Sequence, residues 1–382
     1  MDIPQLIMLP GPTNIHPRVY SAMCKPMINH RSKEFRELYM RILENIKKIF
    51  QTENDIFILT SSGTGGVECA VSNLFLPSDK VIMPIAGTFG ERFSETLSVY
   101  KINTIRINIE PGKAPRLEQI EEVIRKNPDA KGIVIVYNET STGTTVRDLP
   151  KICKIAKDFG LITVVDAISI LGGDDLPVDE WEIDFCITAS QKCLATPPGL
   201  AIVSVSKDAW KMIEREKPRS DYFDLIKYKK YRDEQKETPF TPAINLFYAL
   251  DEAINIILEY GLDKWINRHK ITSKAYYTAI TTMGLPLLAE EWCRSNTVIA
   301  VKMPNGISAK LLREILANKY RVVVAGGFGG LKNSIFRIGN MGLINPRDVL
   351  TTLSSIESAF FELGYPIKSG IESAIPILKN LD

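Results

Sequence analysis

Residues 132–166, GIVIVYNETSTGTTVRDLPKICKIAKDFGLITVVD, contain the pattern that decides the fold. An apolar run at Ile133–Tyr137 predicts a strand, helical periodicity predicts a helix over Leu149–Phe159, and Ile162–Val165 predicts a second strand. A strand, a helix and a strand in this order form a crossover unit whose two strands lie parallel in one sheet. This stretch therefore predicts an α/β fold.

The same alternation continues on both sides of this unit. The remaining elements predicted for the first half are helices at Phe35–Phe50, from Thr64, at Phe89–Val99 and at Leu117–Lys126, and strands at Ile56–Leu59, Val81–Met83 and Thr104–Ile107. Phe185–Thr188 and Ala201–Val205 predict two more strands, joined as a hairpin because no long helix separates them. We therefore expect a mostly parallel seven-stranded sheet with helices on both faces.

The chain changes character after a long helix predicted from Pro242 to Gly261. Beyond it we expect a smaller α+β unit with helices at Lys264–Met283, Lys310–Asn318 and Pro346–Leu363, and strands at Val298–Val301, Arg321–Val324 and Ile335–Ile338. A domain boundary near Glu259 then divides the chain into an N-terminal arm (1–15), a large domain (16–258) and a small C-terminal domain (259–382).

Composition restricts the class of protein. With 382 residues, of which 45% are hydrophobic, the chain can bury two cores, and a net charge of +2 argues against a nucleic-acid partner and against disorder. The longest apolar runs, such as Leu161–Val165, fall far short of the ~20 residues that a membrane helix needs. No signal-peptide pattern and no C-x-x-C pair occur, so we expect a cytoplasmic protein with reduced thiols. The charge-rich segment Lys211–Glu237 is expected to be a solvated face or a subunit edge.

A run of small residues follows the predicted strand Ile56–Leu59. It reads Ser61-Ser62-Gly63-Thr64-Gly65-Gly66 and leads into a helix. Glycines let the backbone approach an anion, hydroxyl groups donate hydrogen bonds, and a helix N-terminus offers free N–H groups. The run therefore predicts a phosphate-binding turn, although a plain tight turn would have the same composition, and neither a dinucleotide fingerprint nor a Walker loop is present.

Two titratable residues come directly after predicted strands. Asp166 closes Leu161–Val165, at the edge where open α/β sheets bind ligands, although such an aspartate also serves as a helix cap. Lys192 lies between Gln191 and the stiff turn Pro197-Pro198-Gly199. A desolvated lysine has a lowered pKa, which favours Schiff-base chemistry, whereas the simpler interpretation is a surface lysine.

An aromatic residue and an arginine complete the set of candidates. Phe89, flanked by Gly87 and Gly90, is either a ring stacked on a planar ligand or a core residue. Arg337 lies among apolar neighbours and is the residue type that grips a carboxylate, or else it forms a structural ion pair. No metal site is predicted, because the three histidines lack Cys or carboxylate partners at ligand spacing: His16, His30 and His269. Together these parts are those that a pyridoxal phosphate (PLP) site for an amino acid requires.

In these residues the sequence resembles the class V aminotransferases of PLP fold type I, and within them the alanine–glyoxylate/serine–pyruvate aminotransferase family. The matching motifs span nearly the whole chain in family order: Leu9–Asn14, Ser62–Gly66, Asn138–Gly143, Asp166–Ser169, Ser190–Leu194 with Pro197–Gly199, and Phe336–Gly339. The resemblance implies pyridoxal 5′-phosphate as the cofactor and a large and a small domain.

The resemblance also implies roles for the residues nearest the cofactor. Lys192 would bind the cofactor covalently and move a proton between substrate and cofactor, and Asp166 would keep the pyridine nitrogen protonated. The phosphate would lie beside the turn and a side-chain amide, which are formed by Thr64, Gly65, Gly66 and Gln191. Gly66 replaces a bulkier residue of some relatives.

Further roles concern the ring, the substrate and the partner subunit. Thr140 matches the residue that hydrogen-bonds the ring hydroxyl, and Phe89 takes the stacking position at which many relatives carry tryptophan. Arg337 matches the clamp for the substrate carboxylate, and Gly11 lies in the segment that lines the substrate pocket. Thr241 matches a residue that reaches the phosphate of the neighbouring subunit, which implies a homodimer with shared sites.

The implied reaction is a ping-pong transfer of an amino group from serine or alanine to pyruvate or glyoxylate. Alternatives on the same scaffold are an aspartate aminotransferase and 2-aminoethylphosphonate–pyruvate transaminase, and the latter would need extra cationic residues in the pocket. Cysteine desulfurase is set aside because the loop Ala325–Lys332 contains no cysteine. A nucleotide-dependent oxidoreductase would leave Lys192 without a role, and nothing favours a non-catalytic binding protein.

Overall fold

The computed structural model describes residues 4–216 and 218–381. The helices are α1 (Pro17–Met23), α2 (Lys33–Phe50), α3 (Gly63–Leu74), α4 (Thr88–Val99), α5 (Leu117–Lys126), α6 (Leu149–Asp158), α7 (Lys207–Ile213), α8 (Leu225–Gln235), α9 (Ile244–Tyr260), α10 (Leu262–Thr282), α11 (Ala309–Asn318), α12 (Pro346–Glu362) and α13 (Ile371–Leu378). The strands are β1 (Leu6–Met8), β2 (Asp55–Thr60), β3 (Lys80–Ile85), β4 (Asn103–Asn108), β5 (Gly132–Val136), β6 (Asn138–Glu139), β7 (Thr144–Thr145), β8 (Ile162–Asp166), β9 (Phe185–Ala189), β10 (Leu200–Val205), β11 (Val298–Lys302), β12 (Val322–Gly326) and β13 (Ile335–Gly339).

The larger sheet contains seven strands in the order β2-β10-β9-β8-β5-β3-β4. Only β10 runs in the opposite direction to the other six strands, so the prediction of a mostly parallel seven-stranded sheet is confirmed. The predicted hairpin β9–β10 lies inside the sheet, between β8 and β2. Strand β10 therefore connects the edge strand β2 to the other strands. The central strands are buried along their whole length, as expected for strands covered by helices on both faces.

The two faces of this sheet carry separate apolar cores. Helices α2, α5, α6 and α9 pack on one face, and α3, α4, α7 and α8 pack on the other. The amphipathic pattern of α2 explains which face of the helix packs against the sheet, since residues such as Leu38 and Ile42 are buried while the intervening charged residues face outward. This two-sided cover leaves the carboxyl ends of the parallel strands as the accessible edge.

The smaller sheet has the order β1-β12-β13-β11, with α10, α11, α12 and α13 contributing to its core. Strand β1, which belongs to the predicted arm and pairs in parallel with β12, was not foreseen from the sequence. Residues 1–3 of that arm lie outside the described residues. Helix α10 is shared, because Trp265 packs in a core of the larger sheet and Tyr276 in that of the smaller. The division into 1–15, 16–258 and 259–382 stays a prediction.

The segment Lys211–Glu237 is more than the solvated face that its charges suggested, although Lys217 lies outside the described residues. Helix α8 buries Leu225 and Tyr228. Glu237 is only 2% exposed and pairs with two arginines of the N-terminal half, Arg31 at 2.6 Å and Arg36 at 2.7 Å. The expectation was wrong for these residues because ion pairing allows a charge to be buried.

Within residues 4–216 and 218–381, no helix combines the length and the apolar character needed to cross a bilayer. The six cysteines are all free thiols, five of them buried.

Candidate active site

A cavity of about 220 Å³ opens where the parallel strands of the larger sheet end. Strands β5, β8 and β9 lie side by side, so the residues after each of them meet at one edge. Six of the residues that were given a role from the sequence line this cavity: Thr64, Phe89, Thr140, Asp166, Gln191 and Lys192. The topology thus brings together side chains that are more than a hundred residues apart.

Asp166 is the last residue of β8, and its side chain is buried against the cavity. The carboxylate accepts a hydrogen bond of 2.9 Å from the backbone N–H of Ile168. Burial raises the pKa of Asp166 to about 7, and the nearby Lys192 opposes that shift only weakly. A carboxylate in such a place gains stability from a bound cation, which would keep it ionised.

Lys192 follows β9 and is 9% exposed, so it is not the surface lysine that the simpler interpretation allowed. Burial lowers the pKa of its amine to about 8. The turn that carries it is fixed by Ser190, whose Oγ donates to the carbonyl of Pro197 at 2.6 Å. A lysine with this pKa is deprotonated in part near neutral pH, as a nucleophile or proton carrier must be.

The N-terminal arm closes over this lysine. The Lys192 amine donates to the carbonyl of Pro10, and Thr13 Oγ1 donates to the carbonyl of Lys192 at 3.3 Å. Gly11 has a φ of +84°, and a Cβ there would lie 2.6 to 2.8 Å from the end of the Lys192 side chain. The backbone conformation at position 11 therefore favours glycine, and any side chain there would displace the end of Lys192, although Gly11 does not itself line the cavity.

The small-residue turn divides into a part that faces the cavity and a part that does not. Thr64, in the first turn of α3, lines the cavity. A Cβ on Gly65 would lie 2.5 Å from Ser61 Oγ, and one on Gly66 would lie 2.7 Å from Ile187 Cγ2 of β9. Gly66 thus allows α3 to pack closely on the sheet, whereas Gly65 leaves room for the side chain of Ser61 just before the helix. The role of both glycines in binding a phosphate stays a prediction.

Gln191 carries the clearest sign of a missing partner. Its side-chain oxygen Oε1 is buried and has no hydrogen-bond partner within the described residues. Buried polar groups are almost always satisfied, and the oxygen and nitrogen of an amide can exchange places by a flip. The Gln191 amide therefore has one polar end free for a group bound in the cavity.

Phe89 lies in the first turn of α4, where it is half-buried, lines the cavity and also packs against the margin of the core on that face of the sheet. The edge of its ring meets Phe328 at a centroid distance of 6.0 Å and an interplanar angle of 86°. The guanidinium of Arg92 lies over both rings, at 5.2 Å from Phe89 and 5.6 Å from Phe328. These contacts position the Phe89 ring at the cavity wall, and Arg92 lines the same cavity.

Arg337 lies on β13 of the smaller sheet and is buried. It donates to two carbonyls, those of Gly326 and Thr140, each at 2.8 Å, and its guanidinium lies 4.6 Å from the centre of the Phe328 ring. No carboxylate in residues 4–216 and 218–381 forms an ion pair with it, so the structural ion pair is not seen. Burial lowers its pKa to about 10, and the Glu139 carboxylate opposes that shift.

Thr241 is separate from these residues. It is exposed just before α9 and does not line the cavity of its own chain. Within the described part of the chain, no group of three or more His, Cys, Asp or Glu side chains is arranged to hold a metal ion. His269 is a buried structural residue, because burial lowers its pKa to about 3 and its Nε2 accepts the N–H of Gly342 at 3.0 Å.

The sequence analysis assigned no role to Asn138 and Ser169, although both lie in matching motifs, and it missed Arg92; all three line the cavity. The Asn138 amide donates to Ser169 Oγ at 2.8 Å and to Thr297 Oγ1 at 3.1 Å, which ties the cavity to the C-terminal part of the chain. Arg92 follows Phe89 by three residues, and this helical spacing places both on one face. That spacing is the signal from which Arg92 would have been found.

Comparison with known proteins gives consistent matches along the chain. A family model described as "Aminotransferase class-V" matches residues 14–339. The chain is 43% identical to an uncharacterized aminotransferase of Methanocaldococcus jannaschii, over 98% of either chain. It is 32% identical to a serine–glyoxylate aminotransferase of Methylorubrum extorquens, over 98% of this chain and 96% of the other. The crystal structure of ureidoglycine–glyoxylate aminotransferase from Bacillus subtilis matches with a TM-score of 0.93 at 30% identity, over 100% and 99% of the two chains.

Proposed function

Since the chain belongs to the class-V aminotransferases, which are PLP-dependent enzymes, we propose that it transfers the amino group of serine or alanine to pyruvate or glyoxylate in a ping-pong reaction. One observation carries the proposal: the Lys192 amine and the Asp166 carboxylate, both buried, face one cavity at adjacent strand ends. The serine–glyoxylate aminotransferase of Methylorubrum supports serine as the donor, and both it and the ureidoglycine–glyoxylate aminotransferase of Bacillus support glyoxylate as the acceptor.

The residues at the cavity fit pyridoxal 5′-phosphate. The free polar end of Gln191 and the hydroxyl of Thr64 suit a phosphate, the Thr140 hydroxyl suits the ring hydroxyl, and Phe89 offers a ring face. When bound, the cofactor supplies an electron-poor ring that stabilises negative charge at the substrate Cα. Asp166 would hold the proton on the ring nitrogen, because a buried carboxylate favours a cationic neighbour.

Lys192 is the residue that would hold the cofactor covalently. With its amine free, Lys192 would take the proton from the substrate Cα and deliver it to C4′ of the cofactor. A pKa of about 8 suits both tasks, since proton transfer is most efficient when the pKa lies near the working pH. The Pro10 carbonyl keeps the amine at the cavity wall, and the burial around it excludes water.

Arg337 would bind the α-carboxylate of the amino acid. Its guanidinium is already placed by two carbonyls and lacks a carboxylate partner within the described residues. A bound carboxylate would supply the missing negative charge and orient the substrate by two parallel hydrogen bonds. Gly11, which has no side chain, leaves room beside Lys192.

We further propose a cytoplasmic homodimer with shared sites. Thr241, exposed and away from the cavity of its own chain, would contact the phosphate in the site of the second subunit. The glycines Gly65 and Gly66 would then place the N-terminus of α3 close to the same phosphate.

A second candidate is a donor with an additional acidic group, such as aspartate or 2-aminoethylphosphonate. Arg92 favours it, because this residue lines the cavity and no carboxylate in the described part of the chain pairs with it. A second cation in the pocket is what such donors require.

A half-reaction screen tests the proposal. Purified protein loaded with PLP is mixed with serine, alanine, aspartate or 2-aminoethylphosphonate, and loss of the visible cofactor absorption is followed. Serine and alanine are expected to react fastest, and Lys192→Ala should lose both the absorption and the turnover. Full activity of Lys192→Ala would overturn the assignment, and faster reaction with aspartate or the phosphonate would favour the second candidate.

A further inference from the structure

We propose that Glu139, to which the sequence assigned no role, is a positioning residue that fixes the stacking ring of Phe89 relative to the clamp Arg337. The inference rests on the proposed function, since it concerns how two parts of that site are held together. Glu139 is 2% exposed and belongs to β6, beside the cavity.

The Glu139 carboxylate holds the first turn of the helix that carries the ring. It accepts the backbone N–H of Phe89 at 3.1 Å and that of Gly90 at 3.0 Å. It also accepts the N–H of Ser141 at 3.0 Å, and Ser141 Oγ accepts the N–H of Thr88 at 3.0 Å. A carboxylate at a helix N-terminus satisfies free N–H groups and is attracted by the partial positive charge there. Helix α4 is therefore anchored by a residue that lies 50 positions away in sequence.

The next residue of the same segment contacts the clamp. The carbonyl of Thr140 accepts a hydrogen bond of 2.8 Å from Arg337 Nη1. Glu139 also supplies negative charge to that guanidinium, since it opposes the lowering of the Arg337 pKa by burial. One three-residue segment, 139–141, thus holds both the helix of Phe89 and the side chain of Arg337.

The fit of this segment against α4 leaves no spare room. A Cβ on Gly87, directly before the helix, would lie 2.4 Å from Ser141 Oγ and 2.7 Å from Glu139 Cδ. The Ser141 hydroxyl and the Glu139 carboxylate therefore occupy the space beside Gly87 at the start of the helix. The stacking ring of Phe89 and the carboxylate-binding Arg337 need a rigid support of this kind to keep their relative positions.

Glu139→Gln tests the role. The amide keeps the shape but has only one oxygen, so it cannot accept both from the N–H groups of Phe89 and Gly90 and from that of Ser141, and it removes the charge near Arg337. Hydrogen bonds to a charged acceptor contribute more than neutral ones, so we expect the apparent Kd for PLP to rise about tenfold. The KM for the amino donor should rise by a similar factor, with a smaller change in kcat.

Glu91→Gln is the matched control. Glu91 lies in the same first turn of α4, but its side chain is exposed and pairs with Arg106 at 2.7 Å. PLP binding to the apoprotein is measured by fluorescence quenching, the orientation of the bound cofactor by visible circular dichroism, and both variants are compared by thermal unfolding. Only Glu139→Gln should change the Kd, the dichroism and the KM.

The outcomes separate this inference from the function on which it rests. If wild-type protein binds PLP and Glu139→Gln matches it in Kd, dichroism and KM, the inference is wrong. If wild-type protein binds no PLP, the proposed function itself is wrong, whatever the result for Glu139→Gln. Should Glu139→Gln not fold, Ser141→Ala removes a neighbouring contact to Thr88 more gently, and a Kd unchanged from wild type would again overturn the inference.

Discussion

Replacing Gly11 by alanine should disable Lys192 through contact alone. The added Cβ would lie 2.6 Å from Lys192 Cδ, 2.7 Å from Nζ and 2.8 Å from Cε. Carbon atoms in contact are separated by about 3.5–4.0 Å, so the end of the lysine must move by about 1 Å. A displacement of that size at a reacting group lowers turnover about 100-fold. The φ of +84° adds strain of about 1–2 kcal/mol for any residue with a side chain.

Gly306→Ala provides the matched control for this variant. Gly306 has a φ of +82°, and no atom lies within 4 Å of a Cβ built there. Both variants therefore carry similar backbone strain, and thermal unfolding of the two apoproteins should show similar decreases in Tm. Only Gly11→Ala should take up PLP poorly, by absorbance, and lose kcat. Equal turnover in the two variants would refute the claim that the arm positions Lys192.

The buried charges of the site lead to three more expected results. Arg337→Ala should raise the KM for the amino donor about 100-fold in steady-state kinetics, while the PLP content measured by absorbance stays unchanged. If PLP content is lost instead, Arg337 has a structural role. Burial raises the Asp166 pKa from 3.8 to about 7. The unfolded chain therefore loses this proton at lower pH than the folded chain, and the free energy of unfolding decreases as pH rises from 3.8 to about 7. Asp166→Asn should therefore raise the Tm of the apoprotein at pH 8, and a lowered Tm there would contradict the sign. Burial lowers the Lys192 pKa to about 8. The rate of PLP uptake by the apoprotein, measured by stopped flow, should therefore increase as pH rises towards that value and then level off. A rate that does not change with pH would argue against a titrating lysine.

Most of the fold was predictable because its elements are long enough to show a period. Helix α5 has the predicted bounds Leu117–Lys126, and the seven strands of the larger sheet were all identified. Strand β1 was missed because three residues show no alternation, and its pairing with Val322–Val324 depends on chain that comes more than 300 residues later. The burial of Glu237 was missed for a related reason, since its partner Arg31 is distant in sequence.

The site residues that could be predicted are those that directly follow a strand, because that position determines where they lie. Asp166 and Lys192 follow strands of a parallel sheet, and such residues gather at one edge whatever the remaining sequence. The neighbours of a side chain are set by tertiary packing instead. For that reason the sequence could not reveal the contacts of Glu139 with α4, or the close approach of Gly66 to Ile187.

The pairing of β1 with β12 has a consequence for the order in which the protein is made. Leu6–Met8 are synthesised more than 300 residues before their partners Val322–Val324. The segment that carries the Pro10 carbonyl is therefore not held by β12 until that later part of the chain has been made. A chain that lacks the smaller sheet would have a complete larger sheet but an unfinished lysine environment, so we expect the amine of Lys192 to become reactive late in folding.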